Sequence, residues 1–234
     1  MITDCNVCHE PRWEALDEPL YKSCALVMGV AWVTCYAAMA VTNYKDKSYG
    51  MPMLCLCLNL SWEVIMTTLH PVVVTEVYWA SVLWVLFDLV LFYQTWLYAR
   101  NEFTAYPFLR KRTTVLLAAG VIFGFPGILF FLEYAHDVRL GLLAGLVLNT
   151  ALAVSYVAML VNRGSSRGQS MVIAVTKGVG SAAAWVLNIG LGYDHNFLLY
   201  LYVLNVATDL VYAIGLYKVI QRERTPAVKK LRDD

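Results

Sequence analysis

The chain has 234 residues, of which 59% are hydrophobic and only 15% charged, with a formal net charge of +1. That balance lies far from soluble globular averages and toward the membrane class. The near-zero charge gives no sign of a nucleic-acid partner, and the 13% aromatic share, with 15 Tyr and 7 Trp, is high even for a membrane protein.

The chain opens with Cys5-Asn6-Val7-Cys8-His9, which matches the c-type haem attachment pattern. Three fixed positions with no soluble domain to enclose a haem favour a cysteine pair without a cofactor. The first apolar stretch then follows. Acidic flanks and the lack of a small-residue cleavage site make it an anchor and not a removable signal peptide. A helix crosses a bilayer core in about 20 apolar residues. Seven stretches satisfy that length, at about 23–41, 51–69, 78–98, 114–132, 140–161, 171–191 and 197–219. The connections are short and polar, as at Asn43 to Tyr49 and Arg163 to Gln169, so one all-α transmembrane domain of seven helices is expected over residues 1–234. Cys24, Cys35, Cys55 and Cys57 fall inside the apolar runs, where a thiol acts as a small hydrophobe.

Orientation follows from the basic residues of alternate loops. Lys45, Lys47, Arg100, Arg110, Lys111, Arg112, Arg163, Arg167 and the basic C-terminal tail fall on one side, against Arg12, Lys22 and Arg139 on the other. The bias places the C-terminus in the cytosol and the N-terminus outside or in a lumen, as an odd number of crossings requires.

Ionisable groups inside hydrocarbon are costly and usually face the bundle interior for a functional reason. Glu63, Asp88, Lys177 and Asp209 fall well inside predicted spans. Lys177, about two turns from an end, is expected to snorkel to the interface. Glu63 lies roughly 10 Å and Asp209 roughly 18 Å from the outer end of its span, and Asp88 sits at a similar level. Each of the first two has an amide one turn earlier, Asn59 and Asn205, at the i, i+4 spacing that shares a helix face. Such groups can be plain interhelical hydrogen-bond glue, but two amide–acid pairs at matching depth favour a shared cavity. Burial disfavours the charged form, so a neutral carboxyl there can give a proton to a weak base such as an epoxide oxygen or an alkene. Trp62, Trp84, Tyr202 and Tyr212 are candidates to offer π faces to the positive charge that results, against the plainer readings of an interfacial belt for aromatics at span ends and core packing for those in mid-span.

Around Asn59-Leu60-Ser61-Trp62-Glu63, with Asp209 in the last span, the sequence resembles the membrane-bound terpene cyclases of fungal meroterpenoid and indole-diterpene biosynthesis, the paxilline-pathway type. The likeness covers nearly the whole chain. It implies catalytic roles for Glu63 and Asp209 in protonating the terminal epoxide, or an olefin, of a prenyl chain on an aromatic, indole or polyketide head group. Asp88 carries over only as a pocket residue. The resemblance also implies no metal and no cofactor, an endoplasmic reticulum membrane, an epoxidised prenylated substrate, and work beside a flavin epoxidase and a prenyltransferase of the same pathway. The sequence agrees on the metal: no Asp-Asp-x-x-Asp run is present to hold magnesium. The alternative reading is a seven-span small-solute transporter of the sugar type. Such folds carry three-helix repeats, and the first three spans show no convincing copy in the last three. A retinal protein needs a lysine in mid-span 7, whereas Lys218 sits at the cytosolic end.

Overall fold

A computed structural model describes residues 11–71, 75–103, 106–137 and 139–225. The Cys5–His9 motif and the basic residues of the tail beyond Thr225 lie outside the described residues. Every regular element among the described residues is helical. After a 3-10 turn at Trp13–Asp17 come α1 (Pro19–Asp46), α2 (Met53–Thr68), α3 (Thr75–Tyr98), the short α4 (Pro107–Lys111), α5 (Thr113–Tyr134), α6 (Leu142–Arg163), α7 (Met171–Gly190) and α8 (Asn196–Arg224).

Six of these helices, α1, α3, α5, α6, α7 and α8, are long and apolar enough to cross a membrane. The exception is α2. Pro52 precedes its first residue, and the His70-Pro71 step follows its end, because the residue before a proline is pushed out of helical geometry. Its 16 residues span about 24 Å, against about 30 Å of bilayer hydrocarbon. It is tolerated at that length because α3, α5 and α6 pack around it. On the α5 side, Gly120 and Gly124 permit the close approach. A Cβ at Gly120 would stand 2.7 Å from Cys57 Sγ, and one at Gly124 would stand 3.1 Å from Leu58 Cδ2.

Packing order closes a ring. α1 packs on α3, α3 on α2, α2 on α6, α6 on α8, α8 on α7, and α7 back on α1, while α5 stands outside against α2. The pattern is inverted relative to a soluble bundle. Large apolar side chains such as Leu26, Val30, Phe123, Phe130, Val203 and Leu210 are exposed on the outside. Asn43, Glu63, Ser81, Asp88, Lys177, Asn205 and Asp209 are buried within. Cys35, Cys55 and Cys57 are buried free thiols, and Cys24 is a half-buried one.

One end of the bundle carries the polar junctions. Arg163 Nη1 donates to the Tyr49 carbonyl at 2.8 Å, and its Nε lies 3.6 Å from Glu102 Oε2. Gly168 N donates to Asp46 Oδ2 at 2.8 Å. These contacts tie the α1–α2, α3–α5 and α6–α7 connections together. At the other end, Arg12 N donates to Leu191 O at 3.1 Å and fastens the first turn to the end of α7.

Candidate active site

The ring encloses a cavity of about 180 Å³ to which all six of its helices contribute. Its walls are largely apolar and aromatic: Trp32 and Tyr36 from α1, Trp62 from α2, Trp84 from α3, Trp185 from α7 and Tyr202 from α8. Trp13 and Leu16 line it from the first turn. Among the described residues, Glu63 is the one carboxylic acid on the lining.

Three helices converge on that carboxyl. Tyr36 of α1 donates its O–H to Glu63 Oε1 at 3.0 Å. Asn59, one turn before Glu63 on α2, has its Nδ2 2.9 Å from Glu63 Oε1, 2.8 Å from Asp88 Oδ2 of α3 and 2.8 Å from Tyr36 Oη. Glu63 is 1% exposed and Asp88 is fully buried. A carboxamide has only two N–H groups, so Asn59 serves both acids while the tyrosine supplies the remaining donor. Glu63 Oε2 and Asp88 Oδ1 have no donor among the described residues, and no cation there pairs with either acid. The two carboxyls thus share three donor hydrogens with no cation beside them among the described residues, and Glu63 is the one that faces the cavity.

The structure places Glu63, Asn59, Trp62, Trp84, Asn205 and Tyr202 on the cavity lining, holds Asp88 against Asn59 without a place on that lining, and departs from the sequence reading at the remaining residues. Asp209 is not part of the cavity lining. Its Oδ1 lies 2.6 Å from Lys177 Nζ, with side chains 5% and 1% exposed. The expectation of a second unpaired acid sharing the chamber is thus corrected: the neighbouring cation on α7 claims the carboxyl. The same contact corrects the snorkelling expected of Lys177, because an ion pair within the bundle replaces the interface as its polar partner. Asn205 lines the cavity but makes no bond to Asp209, and donates instead to Thr150 Oγ1 of α6 at 3.1 Å. Tyr202 lines the cavity and stacks on Trp185 with ring centroids 5.7 Å apart at 17°. Tyr212 does not. It is buried against Tyr156, 5.0 Å between centroids, in the apolar core.

Sequence reasoning did not single out Tyr36, Trp32, Trp185, Asn149 or Ser181. The first two sit in mid-span, where a phenol or indole has no interfacial explanation, and that position is the signal that marks them.

One further device holds the wall. Trp62 Nε1 donates to the Gly141 carbonyl at 3.2 Å. Gly141 has φ +61°, and a Cβ there would stand 2.8 Å from Trp62 Nε1, so the turn requires glycine for both conformation and space. Asp137 fixes that turn: Gly141 N donates to its carbonyl and Ala144 N to its Oδ2, each at 2.8 Å. Burial pushes the Asp137 carboxyl up to about 6, although the backbone N–H groups of Ala144, Leu142 and Leu143 oppose the shift.

Comparison with known proteins returns a family model for Pyr4-like transmembrane terpene cyclases, matched over residues 10–222. The chain is 24% identical over 218 residues to the Pyr4-family terpene cyclase mfmH of Annulohypoxylon moriforme, covering 87% of this chain and 86% of that one. It is 26% identical over 179 residues to the terpene cyclase janB of Penicillium janthinellum, covering 75% and 72%. Against asnovolin H synthase nvfL of Aspergillus novofumigatus it is 25% identical over 182 residues, covering 72% and 73%. No solved structure matches.

Proposed function

The chain belongs to the Pyr4-like transmembrane terpene cyclases, and from that membership we propose that it cyclises a prenyl chain by proton transfer from Glu63. It is an integral, multi-pass membrane enzyme of the terpene cyclase class, and the small-solute transporter reading is not favoured. The finer reading is acid-initiated and metal-independent: Glu63 protonates a terminal epoxide, or an olefin, on a chain borne by an aromatic, indole or polyketide head group. The observation that carries it is the Glu63 carboxyl on an aromatic wall, backed by Asp88 and bridged to it by Asn59.

In this reading the pair holds the proton, and Asn59 and Tyr36 orient Glu63 so that the proton is delivered into the cavity. A dry, preorganised site makes such a transfer effective. As the epoxide C–O bond breaks, positive charge passes along the chain between the faces of Trp32, Trp62 and Trp84. Asp209, fixed by Lys177 one helical turn below the lining residue Asn205, carries the supporting role. Loss of one proton from the final cation balances the proton taken up and leaves a product isomeric with the substrate.

We place α2 as a seventh crossing alongside the six long helices, with the N-terminus luminal or outside and the C-terminus cytosolic in an endoplasmic reticulum membrane. The basic residues that gather at the Arg163 end of the bundle support that orientation. A flavin epoxidase would make the substrate's epoxide and a prenyltransferase its carbon chain. Microsomes carrying the chain are expected to convert an epoxyprenylated arene to a cyclised isomer of identical mass. Unchanged substrate across a panel of phenolic, indole and polyketide head groups would count against this function.

A further inference from the structure

The acid cluster occupies only one half of the ring, the wall built by α1, α2 and α3. The facing half, from α6, α7 and α8, carries a second polar group of lining residues: Asn149, Ser181, Asn188 and Asn205. Two of them, Asn205 and Asn149, leave a carbonyl oxygen without a donor among the described residues. Thr150 gives its hydroxyl hydrogen to the Leu146 carbonyl at 2.8 Å, so its Oγ1 is left as an acceptor. Asn205 must therefore turn Nδ2 toward Thr150, which fixes the orientation of the carboxamide. Its Oδ1 then has no donor among the described residues, in a side chain only 2% exposed. Asn149 has its Nδ2 2.9 Å from Ser181 Oγ and an Oδ1 without a donor among the described residues.

Interhelical glue accounts for the two Nδ2 groups and not for the two carbonyl oxygens. A buried acceptor without a donor is unfavourable, and a ligand that brings an O–H or N–H removes the penalty. Among the described residues the lining contains no Lys or Arg, so nothing described on it matches a phosphate or carboxylate. We propose that the α6–α7–α8 wall is a subsite for a neutral hydrogen-bond donor on the substrate's head group, a hydroxyl or ring N–H accepted by Asn205 Oδ1. The prenyl chain then runs across the cavity and ends at Glu63. This assignment of the substrate's polar end rests on the cyclase reading only for what happens at the other end.

Direct binding separates the two. The protein in nanodiscs is titrated, with tryptophan fluorescence as readout, against farnesylated phenol and its O-methyl ether, and against farnesylated indole and its N-methyl derivative. None of these carries an epoxide. Wild type is expected to bind at least one free donor about fivefold more tightly than its methylated partner, the worth of one neutral hydrogen bond. Which pair shows the preference tells hydroxyl from N–H. Asn205→Leu is expected to erase the preference by weakening the donor ligand alone. Equal affinities within both pairs for wild type overturn the subsite whether or not the variant folds, and so does a preference that survives in Asn205→Leu. The epoxidised versions of the same ligands test cyclisation separately. A preference without turnover keeps the subsite and removes the cyclase chemistry, and turnover without a preference does the reverse.

Discussion

Replacing Lys177 with Met removes the cation that lies 2.6 Å from Asp209 Oδ1 while filling most of the same space. The carboxylate left behind is 5% exposed, and its Oδ2 already has no donor among the described residues. Breaking one side of a buried pair costs about 3–5 kcal/mol, because the remaining charge stays buried without compensation. At about 2–4 °C per kcal/mol for a domain of this size, Tm is expected to fall by about 6–20 °C. Replacing both partners, Lys177→Met with Asp209→Leu, removes the stranded charge along with its partner and is expected to recover most of the loss. Thermal unfolding in detergent near pH 7, followed by far-UV circular dichroism, measures all three proteins. A single variant within about 2 °C of wild type, or a double variant less stable than the single, would refute the pairing.

Asn59→Leu deletes the bridge between Glu63 and Asp88 and should cost about 1–3 kcal/mol of stability; a melting curve and a turnover assay should both show the loss. Gly141→Ala meets a left-handed backbone and the Trp62 indole together, so a loss of about 1–3 kcal/mol is expected in the same melting assay. Asp137 titrates at about 6 in the folded chain, against about 3.9 unfolded. The folded state thus binds the extra proton, and stability present below about pH 4 is lost as pH rises toward about 6, by up to about 3 kcal/mol. Asp137→Asn is expected to remove that slope from a Tm-against-pH series, and an unchanged slope would show that the group is not buried as described.

Spacing alone made the Asn59–Glu63 contact legible, and the partners of the other buried polar groups were not. Asn59 and Glu63 stand four apart and do bond, at 2.9 Å. Asn205 and Asp209 have the same spacing and do not, because Thr150 of α6 and Lys177 of α7 offer each a better partner from outside α8. Periodicity places side chains on a face, but the identity of the facing helix comes from packing order, which carries no local signature. The same gap explains Asp88: its level was legible, and its contact with Asn59 depended on α3 lying beside α2. Span lengths suffered differently. The apolar run about residues 51–69 was long enough for a crossing, yet the prolines at positions 52 and 71 trim α2 to Met53–Thr68.

Glu63→Gln keeps the size of the side chain and an oxygen to accept from Tyr36 and Asn59, and it removes only the proton that the carboxyl can give. In microsomes with matched expression, the variant is expected to leave an epoxyprenylated arene untouched while wild type converts it to a cyclic isomer. Conversion by the variant at the wild-type rate would contradict the account at its root.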